Sequence, residues 1–553
     1  MTGSDNELVF IPLGGAGEIG MNLSLYGYDG RFLMVDCGIT FADEHSPGID
    51  ILVPDPAFIA ARADALDGIV LTHAHEDHLG AVAHLWEKLR CPVYATPFAG
   101  GLLRRKLAEA GLESRLPLTE IPSGGGVTVG PFEVSFIPLA HSIPETQALA
   151  IRTGAGTVLH VTDWKLDPAP LIGPLTDEAA FRRVGEEGVI ALMCDSTNVL
   201  VDGSAGSEGA LRDSLIDVVG KCRERVVVTS FASNITRIET CVRAAQANDR
   251  HIALVGRSLW KLTEIARECG YLADCPDFIE ARDIGHLPRD KVLIVATGSQ
   301  GEPRAALSRI ASGDHQDVAL EPGDTVIFSS REIPGNERGI GRVQNALAGR
   351  GVEVITERDA FVHVSGHPAR DELKTLYDWV KPPLLIPIHG EMRHLSEHVR
   401  FAKQCGIPDA MIAENGSVLR LHPGPAEIVD HVESGRLALD GRRLVPMEGE
   451  ILRVRRRIGY NGAAVATLVL DRKGNIRDAP QVSLPGLLDG MEEDVEIFDD
   501  ISDAIEDAVA GLAPKARRND ETVIEAARRA VRRVVRARLG GRRPVTQIHV
   551  VRV

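Results

Sequence analysis

The chain has 553 residues, with 78 Asp and Glu against 61 Lys and Arg, for a formal net charge of −17. That length exceeds what one hydrophobic core serves, so three to four domains' worth of sequence is expected. The eight cysteines are scattered and form no C-x-x-C pair, no run reaches the ~20 apolar residues of a membrane span, and Met1-Thr-Gly-Ser-Asp-Asn-Glu7 holds neither a basic nor an apolar leader region. A soluble, cytoplasmic protein with free thiols is the expectation.

The first apolar run, Leu8-Val9-Phe10-Ile11, leads into Gly15-Ala-Gly17-Glu-Ile-Gly20, a G-x-G-x-x-G match with Asp36 about where a ribose-binding acid belongs. The next residues exclude a dinucleotide fold. Met21 to Tyr28 alternates with period two and Asp29-Gly30 is a hairpin turn signal, whereas a Rossmann unit needs a crossover helix there. The glycines are expected to turn the backbone tightly beside a site.

That site announces itself at His73-Ala-His75-Glu-Asp77-His78, directly after the strand-like Gly68-Ile69-Val70-Leu71-Thr72. Imidazole and carboxylate suit zinc and its neighbours. Asp36, His141, Asp163 and His389 each end another strand-like run, and site residues of α/β proteins gather on the loops past strand ends. The ordered set resembles the metallo-β-lactamase superfamily. The resemblance implies a two-metal site: His73, His75 and His141 on one ion, Asp77, His78 and His389 on the other, Asp163 bridging, and Asp36 orienting a ligand from behind. Two divalent ions, zinc first and manganese second, about 3.5–4 Å apart, would activate water at neutral pH.

Strand–turn–helix repeats occupy the middle: Val226 to Phe231 with Ala232-Ser233-Asn234, Ile252 to Val255, Val292 to Ala296 with Thr297 to Pro303, and Val326 to Ser330 with Ile333 to Glu337. They predict a small parallel sheet inserted before His389. His363-Val364-Ser365-Gly366-His367 then precedes a helix pattern. It reads as a phosphate cradle of amide, hydroxyl and imidazole donors, or as a helix-capping turn with one packed histidine. With Asp195-Ser-Thr-Asn198 and Pro387-Ile-His389-Gly-Glu391, this insertion resembles the β-CASP nucleases, and the ordered strings resemble the ribonuclease J family from residue 8 to about 430, with a separate C-terminal part. That resemblance implies catalytic roles for Asp77, Asp195 and His367, the last protonating the leaving 3′ oxygen, and an end pocket of Ser233, Asn234, His363, Val364, Ser365, Gly366 and His367. Arg331-Glu332 departs from the small polar residue expected there and would alter the substrate channel only.

The implied fold class is α/β: a metallo-β-lactamase αββα sandwich (1–205 and 371–430), an inserted β-CASP parallel-sheet domain (206–370), a linker (431–460) and a small α+β oligomerisation domain (461–553). In that last part, residues 462–485 read as a hairpin, 522–539 as an amphipathic helix and Gln547 to Val551 as a strand. Residues 487–507 carry ten acids and no bases; residues 511–553 carry twelve Lys and Arg against three acids. Two readings stand: basic surface for RNA, or opposite charges facing each other in an oligomer.

The expected function is a metal-dependent ribonuclease acting 5′→3′ on single-stranded RNA with a 5′-monophosphate, with some endonuclease activity, in RNA maturation and decay. Expected partners are a second copy in a homodimer or homotetramer and RNA-decay assembly proteins. The rivals are a DNA-directed β-CASP nuclease, a small-ester hydrolase on the same metal core, and a non-catalytic scaffold.

Overall fold

Runs of β-branched and aliphatic residues set the strands. Leu8–Gly14 is buried at every position, and Leu23–Tyr28 and Arg31–Val35 nearly so. The computed structural model describes residues 6–43, 46–333, 335–488 and 495–553; Pro334 and the acids between 489 and 494 lie outside the described residues. The chain divides into two compact units, Met1–Thr40 with Val53–Gly435, and Phe41–Leu52 with Arg436–Val553.

Two sheets dominate the first unit. One orders its strands Glu427–His431, Ser417–His422, Leu8–Gly14, Leu23–Tyr28, Arg31–Val35, Leu66–Val70, Val93–Ala95 and Leu118–Glu120. The other runs Gly126–Val129, Phe132–Pro138, Gln147–Thr153, Gly156–Val161, Ala191–Asp195, Leu384–Ile388 and Asp409–Ala410. Their inner faces share one core, in which Phe10, Tyr26 and Val70 meet Val134, Leu149 and Ile386. Behind the second sheet, Leu159 and Leu192 pack against Phe181, Leu373 and Leu376 of helices Glu178–Glu187 and Arg370–Val380. This is the αββα sandwich that the resemblance implies. The hairpin from Leu23 to Val35, with Ser24 paired to Val35, removes the dinucleotide reading.

The insertion is a five-stranded, all-parallel sheet in the order His251–Val255, Val292–Ala296, Val226–Thr229, Thr325–Phe328 and Glu353–Ile355. Four strands were legible as apolar runs; the fifth, only three residues long with Glu353 exposed, was not. The chain leaves the second sheet at Asp195 and rejoins it at Leu384, and these two strands lie side by side, with Asp195 opposite Ile388. That parallel register sets His389 beside Asp195 although 193 residues separate them.

In the second unit, Ala463–Leu470 pairs antiparallel with Ile476–Ser483 and parallel with Val545–Arg552. Its alternating burial turns Ala464, Ala466, Leu468 and Leu470 onto helices Val495–Ala510 and Asp520–Arg538. The 431–460 stretch, expected as a linker, holds strands Arg436–Asp440 and Arg443–Pro446 and helix Glu450–Asn461. Gly441 (φ 63°) makes the hairpin turn between the two strands. Strand Arg436–Asp440 neighbours Ile51–Pro54 in a four-stranded sheet, a pairing that no local pattern announces. Among the described residues no helix is long and apolar enough to cross a membrane.

Candidate metal centre

The site is built behind its ligands first. Asp36 follows strand Arg31–Val35 in a left-handed backbone conformation (φ 61°) and is 1% exposed. Its Oδ1 accepts from the Thr72 amide at 2.8 Å, and its Oδ2 accepts from Thr72 Oγ1 at 2.9 Å and from His78 Nδ1 at 2.7 Å. The next turn can lie this close because residue 38 is glycine: a Cβ there would stand 1.7 Å from the Asp77 carbonyl oxygen. Strained backbone gathered at such a place is typical of sites whose surroundings over-determine them, and His389 (φ 52°) shares it.

Two groups of donors converge around Asp163. On one side, His73 Nε2 and His141 Nε2 each lie 3.1 Å from His75 Nδ1, and 3.7 and 3.6 Å from Asp163 Oδ2. On the other, His78 Nε2 lies 3.3 Å from Asp163 Oδ1 and 3.6 Å from Asp77 Oδ2, and His389 Nε2 lies 3.8 Å from Asp77 Oδ2. Within each group the ligand atoms lie within 4.8 Å of one another. Ligands 2.0–2.2 Å from a tetrahedral ion stand about 3.3–3.6 Å apart, so the spacing fits a divalent metal in each group.

The far side of most rings is already held, as metal-binding histidines require. His73 Nδ1 meets Thr72 Oγ1 at 3.0 Å, His78 Nδ1 meets Asp36, and His141 Nδ1 donates to the Gly366 carbonyl at 2.6 Å. Asn22 does the same for His389, its Oδ1 3.0 Å from His389 Nδ1, and its Nδ2 donates to the Asp77 carbonyl at 3.0 Å. Sequence reading missed Asn22, because it looked like one more residue of an alternating strand. Burial and neighbouring imidazoles push His73 and His141 well below the ordinary histidine value, and His75 to about 4. All three are therefore neutral, the form that binds metal.

His367 stands against this centre, with Nε2 3.9 Å from Asp163 Oδ2 and Nδ1 2.8 Å from Asp195 Oδ2. Burial pulls its pKa down, but the Asp195 and Asp163 carboxylates more than reverse that and raise it to about 9. At neutral pH the ring carries a proton on each nitrogen.

The loop from His363 to His367 is fixed from beneath. Asn198 Nδ2 donates to Ser365 Oγ at 2.7 Å and to the His367 carbonyl at 3.0 Å. Arg331 Nη1 in turn donates to Asn198 Oδ1 at 2.9 Å, which puts the unexpected arginine on the loop's support and away from the metal ligands. A Cβ on Gly366 would come within 2.7 Å of His141 Cε1, so only glycine brings the loop this close. Val364 is buried, packed where a Cβ on Gly206 would meet it. His363 is pushed down to about 3 by burial and by the nearby Arg237, Arg331 and Lys165 charges, and its buried Nδ1 has no hydrogen-bond partner.

Ser233 and Asn234 stand at the start of helix Ile235–Ala247, where Asn234 Oδ1 accepts from the Arg237 amide at 2.8 Å. Among the described residues no hydrogen bond joins either to residues 363–367. The link runs through Arg237, fully buried, whose Nη1 donates to the Ser329 carbonyl at 2.7 Å and to the Val362 carbonyl at 3.5 Å. Arg237 was another omission of the sequence reading, since an arginine at a helix start reads as solvated surface.

Four family descriptions match in chain order: a beta-lactamase superfamily domain over residues 31–181, a ribonuclease J beta-CASP domain over 223–347, a Zn-dependent metallo-hydrolase RNA specificity domain over 351–408, and a ribonuclease J C-terminal domain over 450–553. A ribonuclease J of Sinorhizobium meliloti is 45% identical, covering 99% of this chain and 98% of its own length. A ribonuclease J2 of Bacillus subtilis is 35% identical, covering 86% of this chain and 87% of its own. Among solved structures, a protein of unknown function from Enterococcus faecalis matches with a TM-score of 0.52 at 15% identity, over 75% of this chain and all of its own, which speaks for the fold alone. By relatives of that identity matched nearly end to end, the chain belongs to the ribonuclease J family.

Proposed function

We propose that the chain is a metal-dependent ribonuclease that hydrolyses phosphodiester bonds of single-stranded RNA, acting 5′→3′ from 5′-monophosphate ends with some endonuclease activity. The observation that carries this reading is Asp163, whose two oxygens face two separate donor groups while His367 Nε2 stands 3.9 Å away. The residues fit two divalent ions, zinc first and manganese second; bound there, such ions supply Lewis acidity at phosphorus and a water of lowered pKa. The metal ligands are His73, His75 and His141 in one group, Asp77, His78 and His389 in the other, and Asp163 between them, with Asp36 and Asn22 orienting rings from behind.

His367 holds the proton at Nε2 that goes to the departing 3′ oxygen, and Asp195 fixes the ring and keeps it charged. Ser365 and Gly366 offer hydroxyl and amide donors to a terminal phosphate, with His363 and Val364 on the same loop. Such donors read phosphate rather than base edges, so base identity matters little. RNA maturation and decay in the cytoplasm, as a homodimer or homotetramer with RNA-decay proteins, complete the reading. The test is incubation of purified protein with 5′-monophosphate and 5′-triphosphate RNA, and matched DNA, across a metal series. Mononucleotides released from monophosphate RNA support it; equal cleavage of DNA, or none of RNA, refutes it.

A further inference from the structure

The chain is strongly acidic overall, yet its second unit carries a face made of arginine. On helix Asp520–Arg538, Arg529, Arg532, Arg533 and Arg536 are exposed at spacings of three and four residues, which places them on one stripe. They line a recess of about 540 Å³ with Ala537 and no acid. Arginines flanking the stripe are neutralised, Arg528 by Glu525 and Arg538 by Asp500. Arg529, Arg533 and Arg536 have no acid partner among the described residues. Like charges at these spacings destabilise a helix, so the stripe serves something other than the helix itself.

A second recess, of about 260 Å³, lies on helix Glu450–Asn461 and is lined by Arg453, Arg456, Arg457 and Tyr460, with Glu448 its one acid. Tyr460 is 68% exposed. Residues 542–546 join the two recesses. Arg532 Nε donates to Thr546 Oγ1 at 3.4 Å, Arg543 donates its amide to Asn461 Oδ1 at 3.3 Å, and the Arg542 guanidinium donates to the Tyr460 carbonyl.

Unpaired guanidinium groups beside one exposed ring match the chemistry of a single strand: phosphates at regular spacing, and bases free to stack. A duplex would keep its bases from Tyr460, and a phosphopeptide would leave the ring unused. We propose that this arginine face, with Tyr460, is a second RNA-binding surface that grips the phosphate backbone of single-stranded RNA and stacks one base. The proposal rests on RNA being the substrate.

The test is fluorescence anisotropy of a 30-nucleotide single-stranded RNA with the full chain, in chelator to stop cleavage, across a salt series. Each lost arginine–phosphate contact flattens the slope of log K against log salt by about 0.7. The triple change Arg529→Gln, Arg533→Gln and Arg536→Gln is thus expected to flatten it by about 2 and to weaken binding at low salt. Tyr460→Ala, on a different element, is expected to weaken binding about 5- to 150-fold with the slope unchanged. Wild-type affinity and slope in the triple variant overturn the proposal. So does a changed oligomeric state by light scattering with RNA affinity intact, which would assign the face to a second copy. Failure of the wild-type chain to cleave RNA with metal added defeats the ribonuclease reading instead; unchanged binding by the variants of a chain that does cleave defeats this proposal alone.

Discussion

Replacing Asp36 with Asn probes how the metal centre is held without touching a ligand. Asn is nearly the same size and tolerates the left-handed backbone at this position, so strain does not confound the result. Its carbonyl oxygen can still accept from the Thr72 amide, which Asp36 Oδ1 now does at 2.8 Å. Its NH2 group then faces His78 Nδ1, where Asp36 Oδ2 now accepts at 2.7 Å. His78 must answer by accepting at Nδ1 and carrying its proton on Nε2, the atom 3.3 Å from Asp163. A protonated Nε2 cannot bind metal. Loss of such a supporting partner costs about 10–100-fold in metal affinity, or about 1.4–2.8 kcal/mol. With metal at 100 times the wild-type Kd, the metal-linked gain in stability falls from about 2.7 to about 0.4 kcal/mol for a 100-fold loss. Isothermal titration with zinc or manganese, and thermal melts with and without metal, read both numbers. Wild-type affinity in Asp36→Asn would refute the claim that Asp36 sets the His78 tautomer.

His78→Ala is expected to abolish RNA cleavage while leaving far-UV circular dichroism unchanged; residual activity near wild type would remove His78 from the metal set. Because the His367 pKa is raised to about 9, the proton donor is charged through neutral pH, and kcat is expected to fall as pH rises through about 9. The same sign holds for stability: the His367–Asp195 pair contributes fully below the ordinary histidine value of about 6.5 and is lost as pH passes about 9. Asp195→Asn should move that alkaline limb to lower pH, which a pH–rate profile measures. Phe10→Ala, at a fully buried ring shared by both sheets of the sandwich, is expected to destabilise the first unit by about 3–5 kcal/mol in urea unfolding.

The candidate metal centre was legible because its donor residues cluster at strand ends and their chemistry is specific: His73 to His78 is a local string, and Asp36, Asp163 and His389 each close an apolar run. What the sequence hid were the groups that support His389 and the loop leading to His367. Asn22, Asn198 and Arg237 are residue types common on any surface, and only the fold brings them to His389, Ser365 and the Val362 carbonyl. The four longer strands of the inserted sheet were legible as apolar runs. The pairing of Arg436–Asp440 with Ile51–Pro54 was not, because a contact nearly 400 residues apart in sequence leaves no local trace.

The most direct measurement is cleavage of 5′-monophosphate RNA by rigorously demetallated protein, followed by titration of zinc or manganese against activity. The account predicts no cleavage without metal and recovery that saturates near two equivalents per chain. Full activity from a chain free of metal would contradict it.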